Sequence, residues 1–355
     1  MDSIKVLVTG AGAPGISGVI YSIKKNYDKR KVEIIGTDTN PDAIGRYICD
    51  KFYCISSPDK ENFIQEILSI CEKENIRVVM PLVTKELFAF SKFKKEFEKR
   101  NISVLVSDYE AIIVSNNKFE VLKRCEKIGI PVPKYFKVNN IEDMFKYARE
   151  LGYLMKKIVI KPTISNGMRG FRIIEENKDL KKSFYEEKPT GVYTTLDEIT
   201  RILGDTFPDL ILTEYLPGKE YSVDVFRWKE HITVIPRTRD LIRSGITFNG
   251  TIEKNDKIIE FSKKLSEDLN LEYAAGFQFK LDENGVPKII ECNPRVQGTM
   301  VLSTFGGANI IYTSIKTALN EEIPNFNVKW GTRIMRYWGG LGILNNNAID
   351  SISLE

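Results

Sequence analysis

The chain has 355 residues, 42% hydrophobic and 28% charged, an ordinary globular composition with room for two or three lobes. A net charge of +4, with lysine and glutamate interspersed, gives no electrostatic case for nucleic acid. No apolar run approaches the ~18 residues of a membrane span, no signal peptide precedes the first strand, and the five cysteines form no C-x-x-C pair, so a cytoplasmic protein with reduced thiols and no membrane partner is expected.

In chain order, residues 1–108 alternate β-type apolar runs (Ile4–Val8, Val32–Gly36, Val78–Leu82, Val104–Val106) with helical patterns (Ser17–Lys25, Glu61–Lys73, Glu86–Lys99). Such alternation predicts a parallel sheet covered by helices, an open Rossmann-like α/β domain. The first turn reads G-x-G-x-x-G through Gly10, Gly12 and Gly15, and Asp38 ends the next run. This is the pattern of a dinucleotide-binding fingerprint and raises the question of an NAD enzyme.

Residues 109–205 form the next lobe. A helix runs from Lys118 to about Ile128, where Gly129 stops it and Pro131 and Pro133 extend the chain into a short strand. A second helix, Ile141–Leu151, leads to a strand ending in Lys161, and then to the loop Ser165, Asn166, Gly167, Met168, Arg169, Gly170. A lysine leaving a buried strand can reach a phosphate as a point charge, and glycine-loop N–H groups can cradle phosphate oxygens. A hairpin turn is the alternative for this loop. The Walker A pattern is absent.

Residues 206–325 are strand-rich, with one helix, Asp256–Leu269. Glu214, Tyr215 and Leu216 run into a Pro217-Gly218 turn, after which Glu220, Ser222 and Asp224 share a strand face. An exposed backbone edge there could bind a purine and Glu220 a ribose hydroxyl; an edge strand with a charged outer face is the other reading. Arg237, Arg239 and Arg243 crowd one short stretch, suited to an anionic substrate or to a solvated basic loop.

The hairpin "GFQFKLDENGVPKIIECNPR" is the most informative local geometry. A two-residue Asn284-Gly285 turn pairs Glu283 with Val286 and sets Gln278 opposite Glu291. Alternation then puts Gln278, Glu291 and Asn293 on one face and Phe277, Phe279, Leu281, Ile290 and the thiol of Cys292 on the core face. One carboxylate and two amides suit a hard cation such as Mg²⁺ bound with a nucleotide, and Arg295 beyond them suits phosphate; a polar outer face is the alternative. Residues 326–355 are expected to hold one strand, "TRIMRYW", and a loose tail.

The order and spacing of "NNKFEVLKRCEKIGIPVPKY", "IVIKP", "SNGMRG", "TEYLPGKEYSVDV", "GFQFKL" and "IIECNPRVQGT" resemble the ATP-grasp superfamily. Within it, residues 1 to about 320 are similar to one synthetase half of the large subunit of carbamoyl phosphate synthase. The resemblance implies an α/β and α+β chain: an ATP-grasp fold of small and large lobes holding ATP between them, behind a Rossmann-like pre-ATP-grasp domain. Lys118 and Lys161 would contact ATP phosphates, with Ser165, Asn166, Gly167 and Gly170 in the mobile loop. Glu214, Tyr215 and Leu216 would line the adenine pocket, Glu220 would hold the ribose, and Gln278, Glu291 and Asn293 would hold Mg²⁺ (or Mn²⁺).

Arg295 would stabilise the transferred phosphoryl group. In such families the glycine turn shapes the acceptor site without NAD. The implied reaction joins a small carboxylate to an amine through an acyl phosphate, releasing ADP; many such proteins are homodimers. The chain holds one half, with no visible glutaminase part, and carries Met168 and Arg169 where close relatives have glycine. These departures place a stand-alone ligase ahead of a bicarbonate-dependent enzyme with a partner, an NAD-dependent oxidoreductase, or a silent nucleotide-binding regulator.

Overall fold

The structure, a computed structural model, describes residues 3–165, 167–187 and 191–352. The first sheet is built from β1 (Ile4–Thr9), β2 (Val32–Asp38), β3 (Lys51–Cys54), β4 (Val78–Met80) and β5 (Ser103–Val104) in the order β3-β2-β1-β4-β5, with every neighbouring pair parallel. Burial on both faces explains the near-continuous apolar runs. On β1, Val6 and Val8 enter one core with Ile16, Val19 and Ile23, whereas Leu7 enters a second with Phe63, Ile67 and Phe90. The helical pattern Glu86–Lys99 resolves into a 3-10 turn, Thr84–Glu86, and two short helices, Leu87–Lys92 and Lys94–Glu98.

The chain divides into two compact units. One comprises residues 1–115, 220–277 and 292–355; the other comprises 116–219 and 278–291. The second unit holds an all but antiparallel sheet of β6 (Tyr135–Asn140), β7 (Ile158–Pro162), β8 (Arg172–Ile174), β9 (Tyr193–Thr194) and β10 (Thr206–Glu214), ordered β6-β10-β7-β8-β9, with only β8 and β9 parallel. Its core gathers Val138, Ile158, Ile160, Ile174 and Leu212 against Met144 and Ala148 of the helix Ile141–Glu150 and Leu196 and Ile199 of the helix Leu196–Leu203.

A further sheet contains β11 (Glu220–Trp228), β12 (His231–Thr238), β15 (Tyr273–Leu281) and β16 (Pro287–Asn293) in the order β12-β11-β15-β16, and the unit boundary cuts the chain within β15 and β16. In the first unit, β13 (Leu241–Arg243), β14 (Ile246–Thr251) and β17 (Arg333–Met335) form a small antiparallel sheet. The tail corrects an expectation. Rather than trailing loosely, it folds back as a hairpin of β18 (Gly340–Leu344) and β19 (Asn347–Ile352), because the Asn345-Asn346 pair takes left-handed φ of +49° and +61°, the turn chemistry a tight hairpin requires.

Candidate functional site

In the second unit two cations meet one strand. The helix Lys118–Lys127 is started by Asn117, whose side chain accepts from the N–H groups of Phe119 and Glu120. This fixes Lys118 at the first helical position, where it is buried and its ammonium lies 3.2 Å from a Glu291 carboxylate oxygen and 2.9 Å from the carbonyl of Ser165. Lys161, in the buried stretch of β7, donates to the carbonyl of Ile290 at 2.9 Å. Buried ammonium groups are costly unless compensated, so two of them reaching adjacent residues of β16 mark a place built for negative charge. Ser165 is thus adjacent to the Lys118 ammonium. Gly167 and Gly170 take positive φ of +58° and +73° in the turn that follows, and a Cβ at Gly170 would stand 2.6 Å from the Pro162 ring. Asn166 lies outside the described residues.

The β15–β16 turn differs from expectation. Asp282 N–H donates to Val286 O, and Gly285 N–H to Asp282 O with Gly285 at φ +74°, so the loop has three residues and not two. Asp282 reaches back with its carboxylate to the N–H groups of Asn284 and Val286, which stabilises the longer turn. Counted from the turn alone, Gln278 would fall opposite Ile290, but the strand breaks its alternation at that point. Burial then changes phase: Ile289 and Cys292, three residues apart, are both buried, while Ile290 and Glu291 between them are half-buried. A break of alternation of this kind is what an extra residue in a strand produces. It takes Ile290 off the core face, puts Ile289 there, and leaves Glu291 and Asn293 flanking buried Cys292 on the outer side.

Glu214 receives Lys288 at 2.6 Å and the Lys134 N–H at 2.9 Å, so its carboxylate braces strands of its own unit, while the Tyr215 ring lies 5.0 Å from the Lys280 ammonium and Leu216 is buried. In the first unit Glu220 pairs with Arg239 at 3.2 Å.

The three clustered arginines go separate ways there. Arg237 is among the most buried side chains and grips both oxygens of Asp224 through Nε, at 3.1 and 3.0 Å. Arg239 also holds the Gly245 carbonyl, and Arg243 is exposed and lies over the Phe248 and Trp338 rings. Arg295 donates from Nε to Thr84 Oγ1 at 3.0 Å and contacts Asn293 Oδ1 at 3.4 Å.

Sequence reasoning missed three residues of this unit. Glu86 is buried at the end of the 3-10 turn and accepts from the Thr9 hydroxyl. Burial pushes its carboxyl up to about 7, against the Thr9 hydrogen bond and the Arg295 charge, while Asp38 adds to the rise. Gln297 accepts from Arg237, and Arg336 donates to the carbonyl of Gly298, the next residue, as described below. A run of helical periodicity hid Glu86, and 39 residues separate Gln297 from Arg336, so no local signal joined them. Only Gln297 had a cue, its place two residues beyond Arg295.

The glycine turn answers the dinucleotide question by packing. A Cβ on Gly10 would stand 2.3 Å from Val83, on Gly12 2.9 Å from the Asp38 carboxylate, and on Gly15 2.5 Å from the Gly298 Cα. Asp38 itself accepts from the Gly12 and Asn40 N–H groups at 2.7 and 2.9 Å. A carboxylate therefore occupies the backbone donor that a dinucleotide pyrophosphate would need.

Residues 206–337 match the family described as ATP-grasp in the biosynthetic pathway with Ter operon, and residues 6–105 match the PylC-like N-terminal domain. The chain thus resembles ATP-grasp proteins over residues 206–337 and PylC-like proteins over residues 6–105. More particularly, it is homologous to the halves of the carbamoyl phosphate synthase large chain. It is 25% identical to that of Clostridium perfringens strain SM101 over 94% of this chain and 31% of the relative, and 22% identical to that of Clostridium acetobutylicum over 91% and 30%. It spans about a third of the length of these relatives.

Solved structures share the fold. N5-carboxyaminoimidazole synthetase from Staphylococcus aureus complexed with ADP superposes with TM-score 0.66 at 18% identity, covering 93% of this chain and 81% of that one. Biotin carboxylase from Campylobacter jejuni gives 0.66 at 20%, covering 90% and 72%. An L-amino acid ligase from Bacillus licheniformis gives 0.61 at 12%, covering 90% and 74%. Among the described residues no helix is long and apolar enough to cross a membrane.

Proposed function

We propose that this protein is an ATP-dependent ligase that phosphorylates a small carboxylate to an acyl phosphate, releases ADP, and passes the acyl group to an amine. The observation that carries the reading is the delivery of two buried lysines, Lys118 and Lys161, onto Glu291 and its neighbour Ile290. Cations beside a reachable carboxylate are what a metal-bound triphosphate needs, and phosphoryl transfer is chiefly positioning and charge stabilisation.

The donor set fits Mg²⁺ arriving with its nucleotide. Among the described residues no three His, Cys, Asp or Glu side chains group as a metal site. Glu291, Asn293 and Gln278 offer oxygens but only one charge, so the remaining ligands come from phosphate. Bound there, the metal would neutralise the triphosphate. Arg295 is assigned to the moving phosphoryl group, and the loop from Ser165 to Gly170 to excluding water. The L-amino acid ligase that shares the fold supports an amine acceptor, whereas the carbamoyl phosphate synthase relatives support bicarbonate as the second candidate.

The test is chromatography of nucleotides after incubation with Mg-ATP and pools of amino acids, other small carboxylates, or bicarbonate with ammonia. ADP should appear with one pool and fall about a hundredfold or more in Glu291→Ala. AMP as the product rules out the acyl-phosphate route.

A further inference from the structure

Within the first unit, two side chains meet and leave donors unspent. Arg237 uses Nε on Asp224 and Nη2 on Gln297 Oε1, at 2.9 Å, while Asp224 also accepts from Ser303 at 2.6 Å. The Arg237 bond fixes the Gln297 amide, because the flipped amide would face the guanidinium with a donor. That leaves Arg237 Nη1 and Gln297 Nε2, both buried, with no hydrogen-bond partner among the described residues. Buried donors are almost always satisfied. Gly276 makes room for the arrangement, since a Cβ there would meet the Gln297 amide nitrogen at 2.4 Å.

The third group is Arg336, just beyond β17, which donates to the carbonyls of Thr247 and Gly298 at 3.2 and 3.0 Å. Gly298 directly follows Gln297, so the bond to its carbonyl holds the Arg336 guanidinium beside the Gln297 backbone, and burial and the Arg237 charge lower its pKa. Asp224 balances Arg237, and among the described residues the hydrogen-bond partners of Arg336 are neutral carbonyls, so the three side chains and Asp224 together carry one surplus positive charge. One surplus charge and planar N–H donors match a carboxylate, a planar monoanion, better than a phosphate dianion.

The geometry points to a carboxylate-binding subsite formed by Arg237 Nη1, Gln297 Nε2 and Arg336, which anchors a carboxylate of the substrate other than the one that is phosphorylated. A carboxylate whose oxygens accept from guanidinium and amide N–H groups is a poor nucleophile for phosphorus, so this one positions and does not react. The substrate class is then a small dicarboxylate or an amino acid. This last step rests on the ligase reading; the subsite itself does not.

The probes are acetate, bicarbonate and inorganic phosphate, each titrated calorimetrically at constant ionic strength into the wild-type protein, Gln297→Met, Arg336→Met and Arg336→Lys, with ADP titrated in parallel. Acetate should bind the wild type and weaken about tenfold or more in both methionine variants. Arg336→Lys should restore part of the loss, and ADP affinity should be the same in all four. Acetate that fails to bind, or binds all variants alike, overturns the subsite, as does bicarbonate or phosphate tracking the variants in its place. ADP release from Mg-ATP driven by acetate alone overturns the anchoring role. Acetate binding that follows the variants in a protein that binds no ADP leaves the subsite standing and removes the ligase reading.

Discussion

Glu86 shows how one buried carboxyl can leave a signature across the whole titration curve. Its pKa is about 7 when folded, against 4.5 for the ordinary group, because burial disfavours the charged form. Between those values the folded state holds the proton more tightly than the unfolded chain. The stabilisation is therefore complete below about 4.5 and is lost as pH rises through about 7. Glu86→Gln keeps an acceptor for the Thr9 hydroxyl and removes the titration. Urea melts should show the variant more stable than wild type at pH 8, by up to about 3 kcal/mol, and the difference should vanish near pH 4. Equal pH dependence in both proteins would mean that Glu86 is not held in this buried environment. The charges that face it, Asp38 and Arg295, remain in both.

At the scale of elements, the same short-range chemistry sets where each site residue sits. Asn117 caps the helix that begins with Lys118, so the cap and the ammonium share one turn of chain. Asn117→Ala should cost about 1 kcal/mol of stability by urea melting and raise the KM for ATP more than it lowers kcat, since the loosened turn carries a binding cation. A kcat loss with KM unchanged would count against that role. The helix start at Lys118, the stop at Gly129 and the strand leading to Lys161 were all readable from residue type, because turn residues and periodicity are local. The β15–β16 register was not. Asn284-Gly285 permits a two-residue turn, but Asp282 competes by bonding the Asn284 and Val286 N–H groups, and one added loop residue shifts every partner beyond it. The phase change at Ile290 then returned Glu291 and Asn293 to the side away from buried Cys292, the face expected for them.

For the whole molecule, the match of residues 206–337 to an ATP-grasp family and the packed glycine turn make Mg-ATP the nucleotide to test against NAD. Thermal melts should show an upward shift with Mg-ATP, equivalent to about 2.7 kcal/mol at a hundredfold excess over Kd, and none with NAD. A shift with NAD alone would restore the oxidoreductase reading. The division into two units, each drawing on separated stretches of chain, is invisible to periodicity, because residues 220–277 and 292–355 join 1–115 only through tertiary packing. The C-terminal hairpin, exposed along both strands, belongs to the first of these units.

By itself the sequence determined the parallel first sheet, the helix that begins at Lys118, and the motif order that resembles the ATP-grasp superfamily. Each of these follows from local patterns of apolar, capping and turn residues, whose physics acts over a few positions. Tertiary structure alone decided that the three clustered arginines part company, that Glu86 is buried beneath Thr9, and that Gln297 accepts from Arg237 while Arg336 donates to the carbonyl of Gly298, the next residue. Charge pairing and burial depend on which distant segments meet, and residues 237, 297 and 336 meet only after the sheets around them have closed.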